Sequence, residues 1–112
     1  MTFFIFRPMT YKAFELNITI QPTDIDENGH VNNIIYLKWV QDIAIAHWTK
    51  VATPDMQTQL LWVVSRHEID YLKSAYLQNK LKAKTWVTEP QGAKSDRYVE
   101  IIDIDTNAII TK

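Results

Sequence analysis

Residues 33–51 read NIIYLKWVQDIAIAHWTKV, and this stretch decides the predicted fold. Apolar side chains occupy almost every side of a helical wheel, and Lys38, Asp42 and Thr49 form only a narrow polar stripe. A helix that is apolar nearly all round is typical of a protein interior. The stretch therefore predicts one long, buried helix. Asn32 or Asn33 is expected to cap its start.

The segments around this helix show the two-residue alternation of half-buried strands. In residues 80–88, for example, Leu81, Ala83, Thr85 and Val87 share one face, and lysines occupy the other. Similar patterns predict strands at residues 11–20, 61–71, 80–88 and 97–104, and residues 108–110 follow a turn. The order predicts an α+β fold in which a curved antiparallel sheet wraps one long helix.

Length and composition restrict the class of protein. The chain has 112 residues, which suits a single domain spanning residues 1–112. Its formal charge of −1 argues against a nucleic-acid binder, which normally carries a basic excess. The absence of cysteine excludes disulfides and thiolate metal sites, and it fits a cytoplasmic protein. The apolar run Phe3–Phe6 is too short for a secretory signal or a membrane span.

The polar stretch TDIDENGHVNNIIY, residues 23–36, stands directly before the helix. Its acids, glycine and asparagines are typical of tight turns, and an Asp before a helix is most often a cap or a turn former. The stretch also places carboxylates next to the free N–H groups of a helix start, which favour negative charge. From the residues alone, both interpretations stay open.

Two stretches carry a family resemblance. TDIDENGHVNNIIYLKWVQDIAIAHW resembles the D-x-D-x-x-G-H-V-N-N-x-x-Y-L segment of hotdog-fold acyl-CoA thioesterases of the 4-hydroxybenzoyl-CoA thioesterase type. VVSRHEIDYLKSAYLQNKLKAKTWV is similar, less specifically, to the second and third strands of that family. The resemblance implies a hotdog fold, hydrolysis of acyl-CoA or acyl-ACP, and a homodimer or homotetramer. Because the family continues through another full strand beyond the position of the final ITK, the expectation is either a truncated sequence or an abbreviated last strand.

The resemblance also implies roles in the loop. Asp26 matches the catalytic carboxylate, which attacks the thioester carbonyl or activates a water. The backbone N–H of Asn33 is the implied donor to the oxyanion. His30 is expected to orient the carbonyl or assist proton transfer, and a loop-ordering hydrogen bond is an equal alternative. Asp24 is interpreted as a turn former. The expected substrate-binding residues are Gly29, Asn32, Tyr36 and Ser65.

Other chemistries have weaker sequence support. His30, His47 and His67 lack paired ligand spacing, so neither a metal nor any cofactor is expected. Ser65 has no G-x-S-x-G context, which argues against a serine hydrolase triad. Two alternatives remain beside an acyl-CoA thioesterase: an acyl-ACP thioesterase, and a non-catalytic module that binds acyl thioesters.

Overall fold

The computed structural model describes residues 13–59, 63–88 and 94–112. Its elements are β1 (Phe14–Ile18), a short 3-10 helix (Pro22–Asp24), α1 (Asn33–Val51), α2 (Pro54–Gln59), β2 (Leu81–Val87), β3 (Arg97–Asp103) and β4 (Ile109–Thr111). The expectations for Phe3–Phe6, for the start of the first strand and for Leu61 lie outside the described residues. The sequence Glu89-Pro90-Gln91-Gly92 predicts a turn, and it lies outside them as well.

Helix α1 begins and ends where the pattern predicted. Asn32 is the N-cap, and its side chain accepts a hydrogen bond of 3.1 Å from the N–H of Ile34. This bond satisfies one of the N–H groups that a helix start leaves without an intrahelical acceptor. At the other end, the N–H of Ala52 donates to the carbonyl oxygen of Trp48, and the backbone of Ala52 is extended.

The expectation that α1 is enclosed on nearly all sides is wrong for the described chain. The buried positions of the helix form one stripe with helical spacing: Tyr36, Trp39, Ile43 and His47. On the opposite side, Ile34 is 73% exposed and Ile45 is 64% exposed. The physical reason is that a single sheet layer packs against a helix and covers one face only.

The four strands form one antiparallel sheet in the order β1-β2-β3-β4. The predicted faces of β2 are confirmed, because Leu81, Ala83, Thr85 and Val87 are all buried. Lys82, on the other face of β2, lies 3.4 Å from a carboxylate oxygen of Glu15 on β1. The core therefore lies between the inner face of the sheet and the buried stripe of α1.

The predicted strand over residues 61–71 is wrong for its described part. Residues 63–70 are not in a strand, and Tyr71 makes only an isolated bridge to Thr111. Asp70 and Lys112 exchange two backbone hydrogen bonds, and the N–H of Leu72 donates to Ile110. This register places residues 110–112 opposite residues 70–72. A strand needs a paired backbone, and among the described residues nothing pairs with 63–69.

The predicted turn between the last two strands is confirmed, and Asn107 there has a positive φ of 62°. Strand β4 is only three residues long. Among the described helices, none has the length and apolar character that crossing a membrane requires.

Candidate active site

The loop before α1 opens with a turn built around Asp24. The N–H of Gln21 donates to Asp24 Oδ2 at 2.8 Å. The carbonyl oxygen of Asp24 accepts from the N–H of Asn32 at the same distance. Both groups of Asp24 therefore close the loop onto itself and onto the helix cap, which is the geometry expected of a turn former.

Asp26 lies at the centre of the next turn. Its Oδ1 accepts hydrogen bonds from the N–H of Asn28 at 2.9 Å and of His30 at 3.2 Å. Its backbone N–H donates to the carbonyl oxygen of His30 at 2.8 Å. Within the described part of the chain, no donor bonds to Oδ2. One carboxylate oxygen is therefore anchored in the loop while the second stays available.

Gly29 completes this turn with a φ of +82°, a conformation that side chains with a Cβ rarely adopt. Its N–H donates to the carbonyl oxygen of Asp26 at 3.0 Å. A Cβ built on Gly29 would meet nothing within 4 Å. A glycine is therefore favoured here by the positive φ, and not because a neighbouring atom leaves no room for a side chain.

The first turn of α1 presents one N–H group without a described acceptor at the cleft that Asp26 also lines. Asn33 is the first helical residue, and no described oxygen accepts from its N–H. The aligned peptide dipoles add positive potential at this end of the helix. The helix start can therefore stabilise negative charge that develops on a nearby oxygen.

A cleft of about 510 Å³ gathers most of the predicted site residues. Five of them line it: Asp26, His30, Asn32, Asn33 and Tyr36. The opposite wall comes from residues 71–74, which the sequence interpretation did not assign to the site. The run D-Y-L-K-S, residues 70–74, is the part of the second quoted stretch that forms this wall. Its alternation of apolar and polar residues does not show that it lies beside the Asp26 loop.

Tyr36 lies at the buried side of this cleft and is 2% exposed. Its ring makes an edge contact with Trp39, with centroids 5.4 Å apart. Burial raises the pKa of Tyr36, and the backbone of Ala75 offsets part of this rise without reaching hydrogen-bond geometry. Because its pKa is raised, Tyr36 is a neutral phenol in the wall of the cleft, and its hydroxyl has no described hydrogen-bond partner.

His30 is half-buried and is one of the residues that line the cleft. The backbone of His30 takes part in the Asp26 turn, as described above. Its imidazole makes an edge contact with Tyr76, with ring centroids 5.1 Å apart and an interplanar angle of 83°. The loop-ordering hydrogen bonds of His30 therefore come from its main chain, which leaves the ring available to a ligand in the cleft.

Two expected substrate contacts do not line this cleft. Gly29 shapes the turn from outside it, and Ser65 lies in the exposed segment 63–68. His67 is exposed in the same segment. Among the described residues, no group of three or more His, Asp or Glu side chains could hold a metal ion.

Several known structures share the fold of this chain. The structure of DHNA-CoA thioesterase from Staphylococcus aureus has a TM-score of 0.76 at 22% identity, covering 88% of this chain and 68% of that one. A thioesterase complexed with coenzyme A and Zn from Thermus thermophilus has a TM-score of 0.76 at 19% identity, covering 90% and 78%. No curated protein sequence gives a significant match.

A 1,4-dihydroxy-2-naphthoyl-CoA thioesterase from Synechocystis has a TM-score of 0.71 at 14% identity, covering 89% of this chain and 76% of that one. These likenesses establish the fold, and they confirm the hotdog architecture expected from the sequence. The sequence itself matches the thioesterase-like superfamily over residues 20–111, which include the Asp26 loop, α1 and all of β2, β3 and β4. On this match, the chain belongs to the thioesterase-like superfamily.

Proposed function

We propose that this protein hydrolyses acyl-CoA thioesters to a free acid and CoA, with the reaction at the cleft before α1. One observation carries the proposal: the Asp26 carboxylate and the N-terminus of α1 line the same cleft. Thioester hydrolysis needs a base or nucleophile at the carbonyl carbon and hydrogen-bond donors at the carbonyl oxygen. The cleft offers both, in a member of a thioesterase-like superfamily.

In the proposed reaction, Asp26 uses its available oxygen. With Oδ1 held by the N–H groups of Asn28 and His30, Oδ2 attacks the carbonyl carbon or removes a proton from an attacking water. Negative charge then develops on the carbonyl oxygen, and the N–H of Asn33 donates to it with support from the helix dipole. Collapse of the tetrahedral intermediate breaks the C–S bond, and the CoA thiolate leaves and takes up a proton. On the water route the free acid forms in this step, and the proton is the one that Asp26 removed from the water. On the nucleophilic route the acyl group is left as an anhydride on Asp26, and water hydrolyses this anhydride to release the acid and restore the carboxylate.

The proposed carrier is coenzyme A and not acyl carrier protein. Two structural neighbours are CoA thioesterases by name, and a third is a thioesterase in complex with coenzyme A. The cleft provides one cation, Lys73, among the described residues that line it. Release of free CoA from a panel of acyl-CoA substrates, compared with the same acyl groups on acyl carrier protein, measures the preference.

The proposed active form is an oligomer in which a second subunit completes the site. Segment 63–68 is exposed and does not line its own cleft, and Val63 and Val64 within it are 71% and 60% exposed. Ser65 is expected to reach the cleft of the partner subunit from this segment. Such an arrangement would exclude water from the thioester and strengthen the electrostatic stabilisation of its oxyanion.

The test of the catalytic assignment compares Asp26→Asn with Asp24→Asn. An Asn at position 26 retains an oxygen that can accept from Asn28 and His30, so the loop keeps its hydrogen bonds while the anionic oxygen is lost. We expect Asp26→Asn to lower kcat by at least about 10²-fold. Asp24→Asn keeps an acceptor for Gln21 and is expected to have a much smaller effect.

Chemical denaturation of both variants shows whether the fold survives each change. Equal losses of kcat at the two positions, with both proteins folded, would remove the separate roles of Asp24 and Asp26. An Asp26→Asn protein with wild-type kcat would remove Asp26 from the mechanism. Absence of CoA release by the wild type across the whole panel would remove the proposed activity.

A further inference from the structure

The connector between Tyr71 and β2 runs alongside the Asp26 loop and bonds to it. The carbonyl oxygen of Ala75 accepts from the N–H of Val31 at 2.8 Å, and both residues are buried. Val31 also makes an isolated antiparallel bridge with Ile25 across the loop. The loop and the connector therefore form one hydrogen-bonded unit next to the cleft.

Tyr76 follows Ala75 and contacts His30 through its ring. The centroids are 5.1 Å apart and the rings are nearly perpendicular, an arrangement favoured by the quadrupoles of aromatic rings. His30 lines the cleft, whereas Tyr76 does not. Tyr76 therefore contacts the imidazole from outside the cleft.

The backbone of Tyr76 is itself held in place. Its N–H donates to Asn79 Oδ1 at 2.7 Å, and the N–H of Asn79 donates back to the carbonyl oxygen of Tyr76 at 3.0 Å. The side-chain amide of Asn79 donates to Asp103 Oδ2 at 3.5 Å, and Asp103 is buried at the end of β3. This series of contacts connects the backbone of Tyr76 to the sheet.

We propose that Tyr76 is a positioning residue that holds the imidazole of His30 in its orientation toward the cleft. Among the described residues, no hydrogen bond restrains either ring nitrogen of His30, although its backbone is fixed by the Asp26 turn. The ring orientation therefore depends on packing, and Tyr76 supplies an aromatic surface for it. The inference rests on the proposed function of the same cleft, because His30 acts there on the carbonyl or on a proton.

The test is a double-mutant cycle of Tyr76→Ala and His30→Ala, with Tyr76→Phe as the conservative variant. An aromatic contact of this kind corresponds to roughly a 3- to 10-fold change in rate. We expect Tyr76→Ala to lower kcat by that factor with little change in KM. Tyr76→Phe keeps the ring and is expected to retain the wild-type kcat. In the His30→Ala background, Tyr76→Ala is expected to cause no further loss.

Tyr98→Ala is the matched control. Tyr98 is also an exposed tyrosine in a ring contact, with Trp86 at 5.7 Å, but it lies on β3 and not at the cleft. We expect its removal to leave kcat unchanged. An independent readout is the NMR resonance of the His30 imidazole, which the Tyr76 ring current shifts. Tyr76→Ala should move this resonance, and Tyr98→Ala should not.

Three results would overturn the inference: an unchanged His30 resonance in Tyr76→Ala, an equal loss of kcat in Tyr76→Phe, or additive losses in the double mutant. Failure of the proposed function gives a different pattern. If the wild type releases no CoA, the proposed activity is refuted, and the His30 resonance then decides whether the Tyr76 ring contacts the imidazole in solution.

Discussion

At the scale of single residues, the contact between the buried His47 and the half-buried Arg97 has unusual electrostatics. His47 is 4% exposed, and its Nδ1 lies 3.0 Å from Arg97 Nη1. Arg has only donors, so Nδ1 is an acceptor and the imidazole is neutral. Arg97 Nη1 also donates to Thr85 Oγ1 at 3.0 Å, and no described carboxylate pairs with the guanidinium. Burial, followed by the charge of Arg97, lowers the pKa of His47 from 6.5 to about 4.

This depressed pKa predicts a loss of stability at acid pH. Well above pH 6.5 the imidazole of His47 is neutral in both the folded and the unfolded chain, so it adds no pH dependence to the free energy of unfolding. As the pH falls from 6.5 toward 4, the unfolded chain binds a proton that the folded chain excludes. We therefore expect this residue to reduce the free energy of unfolding by about 1.4 kcal/mol at about pH 5.5. Urea denaturation at a series of pH values from 7.5 to 5.5 measures this fall in the free energy of unfolding.

His47→Gln is the informative variant for this prediction, since its amide oxygen can accept from Arg97 but does not titrate. Its free energy of unfolding should fall less over that range than that of the wild type. His67→Gln, at an exposed position, is the control and should follow the wild type. Parallel pH dependence of the wild type and His47→Gln would show that His47 is not held neutral by its surroundings.

At the scale of elements, α1 presents a buried stripe to the sheet and an apolar opposite face that the described chain leaves open. Ile43 is 0% exposed, whereas Ile45, two residues further on, is 64% exposed. We expect Ile43→Ala to lower the free energy of unfolding by about 2–5 kcal/mol, because it removes buried apolar groups and leaves a cavity in the core. Ile45→Ala should stay within about 0.5 kcal/mol. Chemical denaturation compares the two, and equal costs would contradict the one-sided packing of the helix.

At the scale of the whole molecule, the open cleft and the exposed segment 63–68 favour the proposed assembly. We expect sedimentation equilibrium over a dilution series to show at least a dimer, with specific activity falling as it dissociates. Val63→Asp places a charge on an exposed apolar side chain and should weaken association without unfolding the chain. Thr19→Asp, at another exposed position, is the control. A monomer with full specific activity would refute the shared site.

The sequence by itself determined the features that depend on local interactions. Three such features are the bounds of α1, its cap at Asn32 and the buried face of β2. Each follows from the pattern of residues that are close together in the sequence. The turn at Asp26 is also local, because the hydrogen bonds that Asp26 makes join it to residues at most four positions away. These features, together with the motif of residues 23–36, were sufficient to predict the fold and five of the residues that line the cleft.

Only the tertiary structure decided which segments that are distant in the sequence come into contact. Residues 63–69 alternate like a strand but have no described partner, and the exposed face of α1 follows from how far the sheet extends. The second wall of the cleft exists because Tyr71 meets Thr111, and the His47–Arg97 contact joins residues fifty positions apart. Local propensity contains no information on such pairings, because their free energy arises only when the core forms and brings the segments together.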